Sequence, residues 1–317
     1  MVPGRALRGF VPVHDAPLTH VWRATGVDGV ALTIQVVRAR ALALAPDRER
    51  VALHLASAVG FDQSPYRPLW VECLADGRVA YATPWVDRIP AVDAVRDTLL
   101  HPSALAVTTA TFLAALAEVH RHGGVLGIIA PTALAFVPGL NTFTVDGAGV
   151  FAALVAAGAR REEVARVAGV PAHVAPELLA PEGIADARVD VYSVGTTLYE
   201  LLTERAPFGG RTTAMMMVSI LVQTDTQEMA APGGPVREMV DALLRAIERD
   251  PEDRWPSMAA FAAALDGSPA AGWITTPMSV PRMTAAGARA TNSPAAAEGA
   301  GRRSRWHDLL ARLRRRA

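Results

Sequence analysis

The chemistry open to this chain is narrowed first by a residue type it lacks. All 31 basic residues are arginine, and none is lysine. A bias toward arginine codons accounts for a scarcity of lysine, but it supplies no ammonium group to a site whose chemistry needs one. Cys73 stands alone, so no disulfide can form within the chain. A solitary cysteine of this kind is expected as a small buried hydrophobe rather than a nucleophile. The 31 Asp and Glu balance the arginines to a formal net charge of +0, which argues against a nucleic-acid-binding protein. The balance is uneven. Residues 269–317 carry nine Arg against Glu298 and Asp308, a net of +7, which leaves about −7 on the rest. Within that segment, Arg302–Arg316 places Trp306, Leu309, Leu310 and Leu313 on one helical face among seven Arg. A helix of about four turns is too short to be very stable alone in water, so it is expected to fold on meeting a surface. An anionic membrane and an acidic protein groove are the two candidates.

The elements that must position any site fall into two halves. Hydrophobic residues make up 51% of the chain and aromatics only 6%, so the core must lean on Ala, Val and Leu. Residues 8–87 read as strand-rich: Val21–Ala24, Val30–Val37 and Val79–Thr83 are β-type runs, with Gly26, Asp28-Gly29 and Asp76-Gly77 as turns. One helix is expected in this half, over 47–59, from Val51, Leu55 and Val59. Residues 88–267 read as helical. Helices are expected from Pro102 (Leu105, Phe112, Leu116, Val119), around Val191–Leu202, around Val236–Leu244, and over Met258–Leu265. A β-rich segment followed by a larger helical one predicts an α+β fold in two lobes. Residues 268–301, rich in Ala, Gly, Pro, Ser and Thr without periodicity, read as a disordered linker, and 302–316 as the basic amphipathic helix. No apolar run approaches the roughly 18 residues of a membrane span. Met1-Val-Pro-Gly-Arg5 lacks an apolar signal-peptide core, so the expected location is the cytoplasm, with the basic tail as a route to the inner face of a membrane.

Several stretches resemble the C-terminal lobe of the Ser/Thr protein kinase family, of bacterial type. Asp190–Phe208 (DVYSVGTTLYELLTERAPF) is similar to the family's central helix with its leading Asp and trailing Pro-Phe. Gly169–Glu177 (GVPAHVAPE) resembles the end of the activation segment, and Arg249–Arg254 (RDPEDR) the segment whose Arg pairs with that Glu. Val119–Gly124 looks like the approach to the catalytic loop, and Pro131 fits the loop itself. Together these imply a bilobal protein-kinase-like fold over residues 8–267, with an N-lobe over 8–87 and a C-lobe over 88–267. The resemblance gives Asp190, Glu177 and Arg254 structural roles. Asp190 holds the catalytic-loop backbone, its plainer reading being an N-cap; Glu177 and Arg254 form a mostly buried ion pair.

The family's catalytic positions are filled differently. Kinases use a Gly-rich loop, a strand lysine, two metal-binding groups and a catalytic Asp. The three loop glycines become His14, Ala16 and Thr19. The strand lysine becomes Gln35, or Thr33 in the alternative register, and its partner Glu aligns near Ala52. The loop reads Leu126-Gly-Ile-Ile-Ala-Pro-Thr-Ala133, with Ile128 for the catalytic Asp, Ala130 for the Lys and Ala133 for the metal-binding Asn. Asp146, in Val145-Asp-Gly-Ala148, stands for the metal-binding Asp or else is a turn residue. Residues 147–173 contain no Ser, Thr or Tyr to be phosphorylated, and Val150–Ala168 is expected to be helical and packed across the cleft. The expectation is a catalytically inactive pseudokinase that binds no cofactor and acts as an interaction or regulatory scaffold for another protein, such as an active kinase or a signalling protein. The alternatives are a divergent Ser/Thr kinase and an ATP-binding sensor, and both would use ATP and Mg²⁺.

Overall fold

The computed structural model describes residues 7–57, 66–97, 100, 102–180, 186–208 and 235–266. The linker 268–301 and the basic stretch with Trp306, Leu309, Leu310 and Leu313 lie outside them.

The first half is a five-stranded antiparallel sheet in the order β1-β2-β3-β5-β4. The strands are β1 (Arg8–Asp15), β2 (Thr19–Thr25), β3 (Ala31–Val37), β4 (Trp70–Cys73) and β5 (Val79–Pro84). Pairing register sorts the side chains into two faces. Trp22, Ile34, Ala82 and Trp70 stand opposite one another on one face, and Val21, Gln35, Tyr81 and Val71 on the other. The first row belongs to a self-contained apolar cluster with Leu7, Ala24, Leu32, Val36 and Leu74. The second row faces the rest of the molecule. β1 is an edge strand and is broken by two register shifts, near Gly9 (φ 65°) and Pro12. Such bulges and prolines blunt an edge against further strand pairing.

The helix expected over 47–59 is α2 (Arg48–Ser57), and Asp47 caps its start by accepting the Arg50 N–H at 2.9 Å. It is not the sole helix of this half, because β3 runs into a short α1 (Ala39–Leu42). Cys73 is exposed, which corrects its expected burial; it ends the other edge strand, where β4 offers it no cover.

The second half opens with a two-residue strand, β6 (Ile89–Pro90), then α3 (Ala91–Arg96) and α4 (Pro102–Arg121). A hairpin, β7 (Leu134–Val137) and β8 (Thr142–Val145), pairs with β6. The Ala-rich stretch is two helices, α5 (Val150–Ala156) and α6 (Arg161–Ala168), split at Gly158 (φ 100°). Among the described residues, α7 (Pro176–Leu179), α8 (Arg188–Thr203), α9 (Pro235–Ala246) and α10 (Met258–Asp266) follow. α8 is its axis, with Val191, Val194 and Leu198 fully buried beside Phe112, Leu243 and Phe261. Gly195 sets the closeness of α8 to α9: a Cβ there would lie 2.8 Å from the Ala246 Cβ. Trp255 stacks on Phe261 and donates its indole N–H to the Ala242 carbonyl at 2.9 Å, tying α10 to α9.

Candidate functional site

The site lies where the inner face of the sheet meets the loops around Leu126–Ala133 and Asp146. The first loop is shaped from below by polar side chains of α8. Asp190, fully buried, accepts the backbone N–H groups of Leu126 at 2.8 Å and Gly127 at 2.6 Å, and its Oδ2 lies 2.8 Å from His120 Nε2. Ser193 accepts the Ile129 N–H at 3.1 Å, and Thr197 donates to the Ile129 carbonyl at 3.0 Å. Asp190 makes no helix cap; Ala187 holds that position and Asp190 sits in the first turn with its carboxylate turned to the loop. The plainer N-cap reading is therefore replaced by loop support. A readable signal for the rest of this support was the polar row Asp190, Ser193, Thr197 at helical spacing.

The loop's side chains provide no acid, base or metal ligand. Ala130 and Ala133 are fully buried. Ile128 is 8% exposed and belongs to an apolar cluster with Val150, Phe151, Leu154 and Leu178. The Phe151 ring lies directly against Gly127. A Cβ on Gly127, which also has φ +88°, would fall 2.3 Å from a ring carbon. α5 thus covers the loop with its own side chain, and it also packs against α2. Nothing in the sequence marked Phe151, because its meaning depends on the glycine it covers.

Above the loop, Gln35 is a hub. Its Oε1 accepts the Gly147 N–H at 2.6 Å, the Tyr81 hydroxyl at 2.9 Å and the Thr19 hydroxyl at 3.3 Å. Gln35 rather than Thr33 faces the Asp146-Gly147 turn; Thr33 bonds instead to the Pro84 carbonyl. Burial pushes the Tyr81 phenol well above its ordinary range, and the nearby Asp146 carboxylate adds to the effect, so Tyr81 is a neutral donor to Gln35. Tyr66 is pushed up in the same way, by burial and then by Asp146 and Asp190.

Asp146 does lie in a turn, and that turn is buried. Its side chain is 1% exposed and accepts Arg88 Nη1 at 2.8 Å on Oδ1, and His14 Nε2 lies 3.0 Å from Oδ2. The His14 approach is close but does not have the geometry of a hydrogen bond. Arg88 comes from the segment that joins the two halves and packs over the Trp85 ring, 5.1 Å from its centroid; Arg23 covers the same ring at 4.9 Å. Arg88 had no sequence signal, since it lies 58 residues from its partner. Of the loop residues, His14 reaches Asp146, Thr19 reaches Gln35, and Ala16 joins Val21, Ala91, Leu134 and Val145 in one apolar cluster.

These residues fit a metal–nucleotide poorly. Asp146 is already engaged by two basic groups, a glutamine takes the lysine's place, and the glycine positions carry side chains that pack. The described residues include no cluster of three or more metal-ligating side chains. On the far side of the C-lobe, Arg254 donates to both Glu177 oxygens at 2.7 and 2.8 Å, and this pair is buried.

The protein kinase domain family matches residues 152–264. The chain is similar to the serine/threonine-protein kinase Pkn1 of Myxococcus xanthus, 33% identical over 99 residues, which is 31% of this chain and 14% of that protein. It is 32% identical over 178 residues to a probable serine/threonine-protein kinase of Streptomyces coelicolor, covering 54% of this chain and 26% of that one. With PknJ of Mycobacterium tuberculosis it shares 29% over 224 residues, covering 67% and 37%. The chain thus spans less than two fifths of the length of these relatives. A crystal structure of Rad53 1-466 in complex with AMP-PNP has the same fold at a TM-score of 0.57, with 17% identity, over 82% of this chain and 65% of that one. With a sheet-built first half and a helical second half, the chain has a protein-kinase-like fold, and its sequence is similar to Ser/Thr protein kinases of bacteria.

Proposed function

We propose that this chain is a non-catalytic interaction module on a kinase-like scaffold. The observation that carries this reading is the setting of residue 128. An isoleucine stands where the family needs a proton acceptor, and it is buried in an apolar cluster that includes Phe151. The absence of lysine and the engagement of Asp146 by Arg88 and His14 support the same reading. The test is phosphotransfer to itself or to a generic protein substrate with ATP and either Mg²⁺ or Mn²⁺. The expected incorporation equals that of an Asp146→Ala control, and transfer above that level refutes the reading.

The relatives favour a second reading, since those named above are described as Ser/Thr kinases. A divergent kinase, or a sensor that binds ATP and Mg²⁺ without turnover, would share the fold. A melting shift with ATP and Mg²⁺ but no transfer identifies the sensor, and transfer identifies the kinase. The partner of a non-catalytic module is another protein, such as an active kinase or a signalling protein, and not a nucleic acid. No helix among the described residues is long and apolar enough to cross a membrane. Contact with an anionic membrane through Arg302–Arg316 belongs to the same proposal. It is read by co-sedimentation of full-length and 1–300 protein with anionic vesicles; equal sedimentation removes it.

A further inference from the structure

The contacts between the two halves are made at the positions where a kinase would hold its ligand. Asp146 and Gly147 belong to the C-lobe. The groups that meet them come from elsewhere: His14 from the end of β1, Gln35 from β3, and Arg88 from the connecting segment. The Arg88 side chain is 4% exposed and packs on the face of the Trp85 ring as it reaches the carboxylate. A guanidinium and an imidazole therefore flank Asp146 on its two oxygens, where a cation would have to stand to reach it. One residue on, Gln35 fixes the backbone of the same turn. Val13, Ala16 and Val21 of the N-lobe close over Ala91, Leu134 and Val145 of the C-lobe in one continuous apolar cluster.

Two-lobed proteins usually close around a ligand whose charges the lobes share. In this chain the positive charge comes from within. We propose that Arg88, with His14 and Gln35, is a built-in clasp that holds the lobes closed without ligand, taking on Asp146 the place of a metal–nucleotide. The proposal rests on the non-catalytic reading only in that the cleft is occupied by the protein's own side chains. The Arg88–Asp146 pair is the charged centre of the clasp. Nε and Nη2 of Arg88 and Oδ2 of Asp146 have no hydrogen-bond partner among the described residues, so charge complementarity, more than a full set of hydrogen bonds, holds it.

The test is hydrogen exchange by mass spectrometry on the full chain, comparing wild type with Arg88→Gln, Asp146→Asn and the double variant. Asp146→Asn keeps the side chain's shape and serves alone if Arg88→Gln does not fold. Each single variant is expected to raise exchange about tenfold, equivalent to about 1.4 kcal/mol, in peptides covering residues 14–22 and 143–151. Peptides from α8 and α10 should not change. The double variant should exchange no faster than the faster single, because the two residues act as one unit. Adding millimolar ATP and Mg²⁺ should leave the wild type unchanged. Exchange within twofold of wild type in the single variants, or effects that multiply in the double, would overturn the clasp. So would new protection of the wild type by ATP and Mg²⁺. The two proposals fail separately: an active protein with Arg88-dependent protection refutes the non-catalytic reading alone, and a silent protein without it refutes the clasp alone.

Discussion

Removing Glu177 should be among the most destabilising single changes available to this chain. Arg254 is fully buried and every N–H of its guanidinium is used. Nε donates to the Glu248 carbonyl at 2.6 Å. Nη1 donates to Glu177 at 2.7 Å and to the Arg188 carbonyl at 3.1 Å. Nη2 donates to Glu177 at 2.8 Å and to the Arg249 carbonyl at 3.0 Å. The Tyr192 ring lies 4.9 Å beneath. Glu177→Ala strands two of these donors and leaves the charge uncompensated. Two unpaired buried donors cost about 1–3 kcal/mol each, and breaking a buried pair by removing one partner costs about 3–5 kcal/mol. The two routes agree, and 3–5 kcal/mol corresponds to a melting-temperature loss of about 6–20 °C for a body of this size. Urea unfolding of wild type and variant, with m held common, reads the change directly. The sign of a second variant tests the reasoning behind the magnitude. Replacing both residues with methionine removes the charge along with its partner and should cost less than Glu177→Ala alone. A loss below about 1 kcal/mol for Glu177→Ala, or a double replacement worse than the single, would refute the account.

Two further outcomes are expected. Gly127→Ala should lower the urea midpoint, because its Cβ meets the Phe151 ring at 2.3 Å in a backbone with φ +88°, and the double variant with Phe151→Ala should cost less than the sum of the two singles; additive losses would mean that backbone strain, not the ring, sets the cost. Burial works upward on the Asp186 carboxyl, but hydrogen bonds from Arg188 outweigh it and hold Asp186 below the ordinary carboxylate range. Its contribution is then complete above the unfolded value of about 3.9 and is lost as pH falls through the folded value. Asp186→Asn should flatten the fall in urea midpoint below about pH 4, by a small amount because the carboxylate is partly exposed; an unchanged slope would remove Asp186 from the acid response.

What could be read from the sequence was what repeats or what is close in the chain. The 3.6-residue spacing of Leu105, Phe112, Leu116 and Val119 marks α4, and the run Asp190–Phe208 carries both a helix and a family likeness. β1 and β4 were not separable by pattern. β1 is interrupted at Gly9 and Pro12, and β4 is four residues long with no clean alternation. The missing catalytic groups were legible because an absent lysine needs no structure to interpret. What fills the cleft was not legible. Arg88, His14 and Asp146 lie far apart in the chain, and Phe151 acquires its role from Gly127. Asp146 looked like a turn residue because Asp-Gly is a turn dipeptide; only the fold shows it buried.

The way α8 grips the loop at Leu126–Ala133 separates two specifications that share the same eight residues. Asp190, Ser193 and Thr197 touch main-chain atoms of the loop. The loop's path is thus dictated from outside, and its side chains answer to the apolar clusters they fill, Ile128 with Phe151 and Leu126, Ile129 and Ala133 with Val191, Val194 and Leu198. Shape is encoded in one part of the chain and chemistry in another, so the second can be erased while the first stays intact. A likeness scored on the residues that encode shape reports the scaffold alone, which is consistent with a family match that begins at residue 152, beyond the loop.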